Sequence, residues 1–369
     1  MNDPFREQPE QLERCAYCHD QCMSATPEVI ATGSQAHVVS RVAAVARLLE
    51  AGRVRWSASS GAPLFYGLND GWQQEYCIFS GEGQRIEPYL RRFRHHAVTR
   101  GVAPVAVADA LSAARATGNV FGLERSRQTT TRLTGGGVAF VHDAATRALT
   151  PHVVSAAHAV LERAEGPVID LAVESGGMIE LDLGEEELAR DAAAAVATVV
   201  AASGATLLVT TDAVLAYAMR LAYPFLGVDL AIPVLHFAEY LVDHPPKTTA
   251  GRPTSVVFHD PAWLSRGLGV IDAPRTVIRR VGGVQLLEAA SSGRLAGSDG
   301  PLWGYPDSTV AAAIAADRME ELRTTGAELI VTASPYSEAN LSAASGGDIE
   351  VVDLSQFLAS RLDVDGSCT

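Results

Sequence analysis

FVHDAATRALTPHVVSAAHAVLERAEGP, residues 140–167, can be laid without gaps on VFHDPAWLSRGLGVIDAPRTVIRRVGGV, residues 257–284. His142 and Asp143 fall on His259 and Asp260, Val160 and Leu161 on Val277 and Ile278, Arg163 on Arg280, and Gly166 on Gly283. Two further blocks recur in the same order: GATLLVT from Gly204 with GAELIVT from Gly326, and IPVLHFAEYL from Ile232 with IEVVDLSQFL from Ile349. Matching blocks in one order mark a duplication, and a duplication governs how the rest of the chain is read.

Within each copy, short apolar runs rich in β-branched residues alternate with Ala/Leu/Arg-rich helical pattern. The strands are expected at VAFVH, PVIDLAV and TLLVTT in the first copy, and at SVVFH, VQLLEA and ELIVTA in the second. That alternation predicts an α/β fold with two small parallel sheets covered by helices. Residues 243–253, DHPPKTTAGRP, break the copies apart, and the stretch from Thr117 through the triple glycine at 135–137 separates the first copy from an N-terminal segment. The glycines precede a strand, so they are read as a turn and not as a dinucleotide fingerprint. Domains are expected over 1–116, 136–244 and 252–363.

The chain has 369 residues and is 47% hydrophobic, enough to bury more than one core. Its 29 Lys and Arg against 43 Asp and Glu give a net charge of −14, which repels phosphate backbones and argues against nucleic-acid binding. MNDPFREQPEQLER lacks the apolar stretch of a secretory signal, and no run reaches the length of a membrane span, so a cytoplasmic protein is expected.

Of five cysteines, Cys15, Cys18 and Cys22 are packed into CAYCHDQC, Cys77 stands apart, and Cys368 lies beside the end and is read as a bystander. An odd number with three clustered suits a metal centre in a reducing compartment better than a disulfide framework. In ferredoxin-type modules with two clusters, each cysteine run gives three ligands to one cluster and its last cysteine to the other. FYGLNDGWQQEYCIFS, residues 65–80, has the shape of a second run with positions 67, 70, 73 and 77, occupied by Gly67, Asp70, Gln73 and Cys77. One complete ligand set, Cys15, Cys18, Cys22 and Cys77, is kept; the other, which would also need Thr26, is lost. The kept set matches one [4Fe–4S] cluster by its soft thiolates. Structural zinc is the alternative, with His19 able to replace one thiolate. The three-residue gap between Cys18 and Cys22 departs from the common two-residue spacing.

These features resemble the iron–sulfur family that includes the D subunit of heterodisulfide reductase, the glycolate oxidase iron–sulfur subunit and the lactate-utilisation proteins. The resemblance covers nearly the whole chain and implies a helical ferredoxin-like N-terminal domain followed by two CCG domains. HDPAWLSRGLGVIDAPR from His259 is similar to the His-Asp-Pro-Cys opening of such a domain, with Ala262 in the cysteine place. SGRLAGSDG from Ser292 stands for Cys-Cys-Gly, and TASPYSEANL from Thr332 for the closing motif, with Ser334 and Ser337 replacing cysteines. In the first copy ESGGM from Glu174 and TTDAVLAYAM from Thr210 take those places, with Asp212 and Leu215 for cysteine. With every CCG cysteine absent, heterodisulfide reduction by this chain is not expected.

The resemblance implies an electron-transfer subunit of a hetero-oligomeric oxidoreductase, relaying electrons to or from a flavoprotein dehydrogenase or an electron-transfer flavoprotein-like subunit, and peripheral to the membrane only through a partner. The alternative is a non-catalytic assembly subunit whose cluster or zinc ion serves folding; a third reading is a small-molecule enzyme using the cleft between the copies. No catalytic residue is assigned. His142-Asp143 and His259-Asp260 are read as a shared structural turn rather than acid–base pairs, His236 as a core or capping residue, and YLRRFRHH, residues 89–96, as a solvated helix face, or else a docking surface for an acidic partner.

Overall fold

The computed structural model describes residues 4–66, 70–79, 84–126, 136–302 and 308–363. Both copies form four-stranded, wholly parallel sheets of identical topology. In the first, β1 (Val138–His142), β2 (Ile169–Ala172), β3 (Leu207–Thr210) and β4 (Val234–His236) lie in the order β2-β1-β3-β4. In the second, β5 (Thr254–Phe258), β6 (Val284–Leu287), β7 (Leu329–Thr332) and β8 (Glu350–Asp353) lie in the order β6-β5-β7-β8. The alternation read from the sequence is thus an α/β fold with two small parallel sheets. The outer strands β4 and β8 come from the third repeated block and extend each sheet beyond the runs singled out in the sequence.

The central strands are apolar without alternation, as helices on both faces require: Ala139, Phe140 and Val141 are all buried, as are Val256, Val257 and Phe258. The helix Pro151–Glu165 opens on a proline in its first turn and buries Val153, Ala157, Val160 and Leu161, the spacing of one helical face. Its counterpart Asp272–Arg279 is shorter, because a π-type turn at Trp263–Gly267 occupies the place where the first copy already has the helix Ala144–Leu149. The sheets share an apolar core, with Phe140, Val209 and Phe237 from one packed in the same cluster as Phe258, Leu264 and Val331 from the other.

Helices Pro9–Ala16, Val39–Glu50, Glu87–Thr99 and Val105–Thr117 make up the N-terminal segment. Their core, including Leu12, Val42, Leu90 and Phe93, runs on into Leu171 and Met178 beside the first sheet. The segment also meets the second unit: Arg266 donates from Nε to the Asp70 carbonyl at 2.9 Å, Arg294 pairs with Glu75, and the helix Pro27–Thr32 packs on the helix Ser308–Arg323.

The stretch 89–96 is not a solvated face. Tyr89, Leu90, Arg91, Phe93 and Arg94 are all buried within Glu87–Thr99, because this helix sits against the turn at Gly184. A Cβ on Gly184, whose φ is +91°, would lie 2.4 Å from His95 N and 2.7 Å from Arg91 O. Arg94 then donates to the Leu64 carbonyl at 2.8 Å and the Asp182 carbonyl at 2.8 Å. Among the described residues no helix is long and apolar enough to cross a membrane.

Candidate metal centre

Cys15 lies in the last turn of Pro9–Ala16, Cys18 just beyond it, Cys22 in the 3-10 turn Gln21–Ala25, and Cys77 after the short helix Trp72–Glu75. All four are free thiols, and all four line one pocket, against Val39, Phe79 and Ile86, with Gln74 and Gln84 supplying amides at the wall. The four residues read from the sequence as one ligand set are therefore brought to one place. His19 is exposed and does not line the pocket. Gly67 and Cys368 lie outside the described residues, as does the side chain of Gln73.

The spacing anomaly has a local solution. Asp20 adopts the left-handed conformation at φ 60°, one of two non-glycine residues with positive φ among those described. This turn takes up the extra residue between Cys18 and Cys22, and Asp20 is held there by an ion pair to Arg41 at 2.6 Å and a hydrogen bond from Ser40. An aspartate tolerates this backbone better than most side chains.

Burial pushes the Cys15 thiol well up, and repulsion from Cys22, Cys77 and Cys18 adds to it. Burial, then Cys77 and Cys18, push Cys22 up to about 11, and burial raises Cys77. Cys15, Cys22 and Cys77 are thereby held as neutral thiols near neutrality. A soft cation bound among them would take the place of the protons and relieve that repulsion, so the donor set fits a thiolate-bound metal group. Among the described residues no three His, Cys, Asp or Glu side chains converge closely enough to hold a single ion. Tyr17, Tyr76 and Ile78, all exposed, are chain neighbours of Cys18 and Cys77.

In an open parallel sheet, ligands gather where neighbouring connections leave in opposite directions, here between β1 and β3 and between β5 and β7. Buried titratable groups gather near these two points. Asp143 Oδ1 accepts from the Ala145 and Thr146 amides at 2.9 and 3.2 Å, and Asp212 Oδ1 from the Val214 amide at 2.8 Å, each capping the helix that follows its strand. Burial raises both carboxyls, Asp212 further because Asp143 faces it, and burial pushes the neighbouring Glu180 up to about 7. In the second unit Arg318 Nε donates to His259 Nδ1 at 3.1 Å, while His259 Nε2 faces Asp299 at 3.5 Å. Asp260 does not cap a helix: Arg275 grips both its oxygens at 2.7 Å, and the Gly293 amide donates to it at 2.8 Å. The two His-Asp pairs, aligned in sequence, thus serve different structural purposes. His236 caps the helix Phe237–Asp243, and its Nε2 donates to the carbonyls of Thr211 and Ala333 at 3.1 and 3.2 Å, tying the two units together.

Sequence reasoning missed Asp20, Gln74 and Arg318. Neither the left-handed turn nor the helix that carries Arg318 to His259 leaves a local signature; only the displaced cysteine spacing hinted at the first.

No family model matches this chain. It is 31% identical over 162 residues to the D subunit of dihydromethanophenazine:CoB–CoM heterodisulfide reductase from Methanosarcina barkeri, a match covering 41% of this chain and 39% of that one. It is 27% identical over 191 residues to the B subunit of fumarate reductase (CoM/CoB) from Methanothermobacter marburgensis, covering 48% of this chain and 36% of the relative. The match thus spans about two fifths of the length of these curated relatives. A crystal structure of a hypothetical protein from Helicobacter pylori shares the fold, with a TM-score of 0.56 at 13% identity over 80% of this chain and 61% of the other. Over that stretch the chain is similar in sequence to the D subunit of heterodisulfide reductase.

Proposed function

We propose that this chain is an iron–sulfur electron-transfer subunit of a multi-subunit oxidoreductase, with Cys15, Cys18, Cys22 and Cys77 holding one [4Fe–4S] cluster. The observation that carries this reading is the meeting of four thiols from two distant segments around one pocket, while Asp212, at a cysteine place of the first copy, caps a helix. Four soft thiolates with no histidine lining the pocket suit an iron–sulfur cluster, with structural zinc as the alternative. Such a cluster, when bound, supplies a one-electron couple. The chain's own part is to hold it through four thiolates, to keep water off it with Val39, Phe79 and Ile86, and to present Tyr17, Tyr76 and Ile78 as an apolar rim for a partner.

That partner is a flavoprotein dehydrogenase or an electron-transfer flavoprotein-like subunit in a hetero-oligomer, and the clustered thiols suit the reducing cytoplasm, with any membrane contact made through the partner. The domain limits that go with this reading are 1–116, 136–244 and 252–363.

The test is iron, acid-labile sulfide and zinc content of anaerobically purified protein, with low-temperature EPR before and after reduction. Iron and sulfide in equal amount, with a reduced-state signal that Cys77→Ser removes, are expected. Zinc, or neither metal under conditions that preserve clusters, refutes the cluster reading. It would favour an assembly subunit, the second reading, which rests on the protein groups that fill both switch points.

A further inference from the structure

A second cavity, of about 530 Å³, lies where the N-terminal segment meets both α/β units. Its volume falls within the roughly 300–1,000 Å³ of small-molecule sites. Arg91 lines it from the helix Glu87–Thr99, only 8% exposed, and among the described residues its Nε and Nη1 have no hydrogen-bond partner.

The other charged groups around the cavity are largely committed. Arg266 is bound by Asp70 and by the carbonyls of Arg294 and Ala296, Arg294 by Glu75, and Glu87 by Gln74 and the Ile86 amide. Asp182, the nearby carboxylate of the first unit, pairs with Arg94 at 3.1 Å. Arg91 has instead the ring of Phe5, 4.9 Å from its guanidinium carbon, which holds the charge in place but accepts none of its N–H groups. Burial pushes this guanidinium down from its ordinary value. Arg85, half-buried on the same wall, adds positive charge.

The remaining walls are aromatic. Tyr217 and Trp263, one from each α/β unit, meet edge to face at 4.8 Å, and Phe225 stacks on Phe5 at 5.0 Å. A buried arginine fork with unused donors is matched by a carboxylate or phosphate, which accept in its plane, and aromatic walls are matched by a flat conjugated ring. We infer that this cavity binds a small organic anion carrying one carboxylate or phosphate beside a planar conjugated ring, with Arg91 as its anchor. The site does not depend on what the thiols hold, although Gln74 borders both places, so an occupant lies next to the thiol pocket.

The test is calorimetric titration of the whole protein with 1-naphthoate and 1-naphthyl phosphate, the uncharged 1-naphthalenemethanol serving as control. At least one anion should bind about tenfold or more tighter than the alcohol, which of the two binds identifying the anionic group, and Arg91→Met should remove that preference. Because Arg91 forms no side-chain hydrogen bond among the described residues and methionine keeps its apolar stem, R91M should unfold close to the wild-type temperature. Leu221→Trp fills the cavity from the first α/β unit with Arg91 intact, and should abolish binding even if R91M fails to fold. Failure of both anions to bind the wild type overturns the inference, as does binding unchanged in R91M or L221W.

Discussion

Replacing Arg275 by methionine tests whether the second His-Asp pair is a structural clamp. Arg275 is 6% exposed and Asp260 1%. The guanidinium makes two bonds of 2.7 Å to Asp260 and two more, of 2.9 and 2.8 Å, to Glu288. Burial disfavours the charge, yet the bonds to Asp260 and Glu288 outweigh it and hold the guanidinium well above its ordinary value. Methionine keeps most of the stem volume but leaves the Asp260 carboxylate with the Gly293 amide alone. A buried charge stripped of its partner costs about 3–5 kcal/mol. Urea unfolding at pH 7, followed by far-UV circular dichroism, should show a loss of that size in the transition of the second unit. Asp260→Asn in the R275M background removes the stranded charge, so the double variant should recover about 2 kcal/mol. A loss below about 1 kcal/mol at pH 7, or no recovery in the double variant, would refute the clamp and reopen an acid–base role for Asp260.

Two other substitutions test the switch point of the first unit and the docking of the N-terminal segment. Glu180 is buried, with its carboxyl pushed up from 4.5 to about 7, so it stays protonated in the folded chain where the unfolded chain has ionised. Wild-type stability should therefore fall as pH rises from 4.5 to about 7 and level off above; Glu180→Gln should remove about 2–3 kcal/mol of that fall, leaving the proteins alike at pH 4.5 in urea titrations. Gly184→Ala forces a Cβ onto the backbone of His95 and Arg91 at a left-handed φ, and should cost about 3 kcal/mol or more. Limited proteolysis should then cut the N-terminal segment before either α/β unit, and a variant as resistant as the wild type would show that the close approach bears no load.

The duplication was legible because each repeat must bury the same faces: VAFVH and SVVFH lie at the centre of two parallel sheets and cannot alternate apolar with polar residues. That the four cysteines lie together was legible for a different reason, since the spacing of the two runs pointed Cys77 toward Cys15, Cys18 and Cys22. Charged residues misled. YLRRFRHH reads as a wet surface by composition, but Arg94 spends its donors on the Leu64 and Asp182 carbonyls, and Arg91 faces a cavity. Asp70, which stands at a lost ligand position, is redeployed to hold Arg266. Aligned residues also diverged: Asp143 caps Ala144–Leu149, but in the second copy Pro261 and the π-type turn after it leave no such helix, and Asp260 takes an arginine from Asp272–Arg279 instead. Tertiary partners of this kind leave no trace in spacing.

The N-terminal segment grips the first unit through Gly184 and Arg94 and the second through Asp70 and Glu75, so mechanically it is a brace across a joint. Rotation of one unit against the other must tear either the Gly184 contact or the Asp70 and Glu75 pairs. Cys77 stands two residues from Glu75, on the very strut that carries the second grip. The thiol pocket and the joint between the two sheets therefore share one strut.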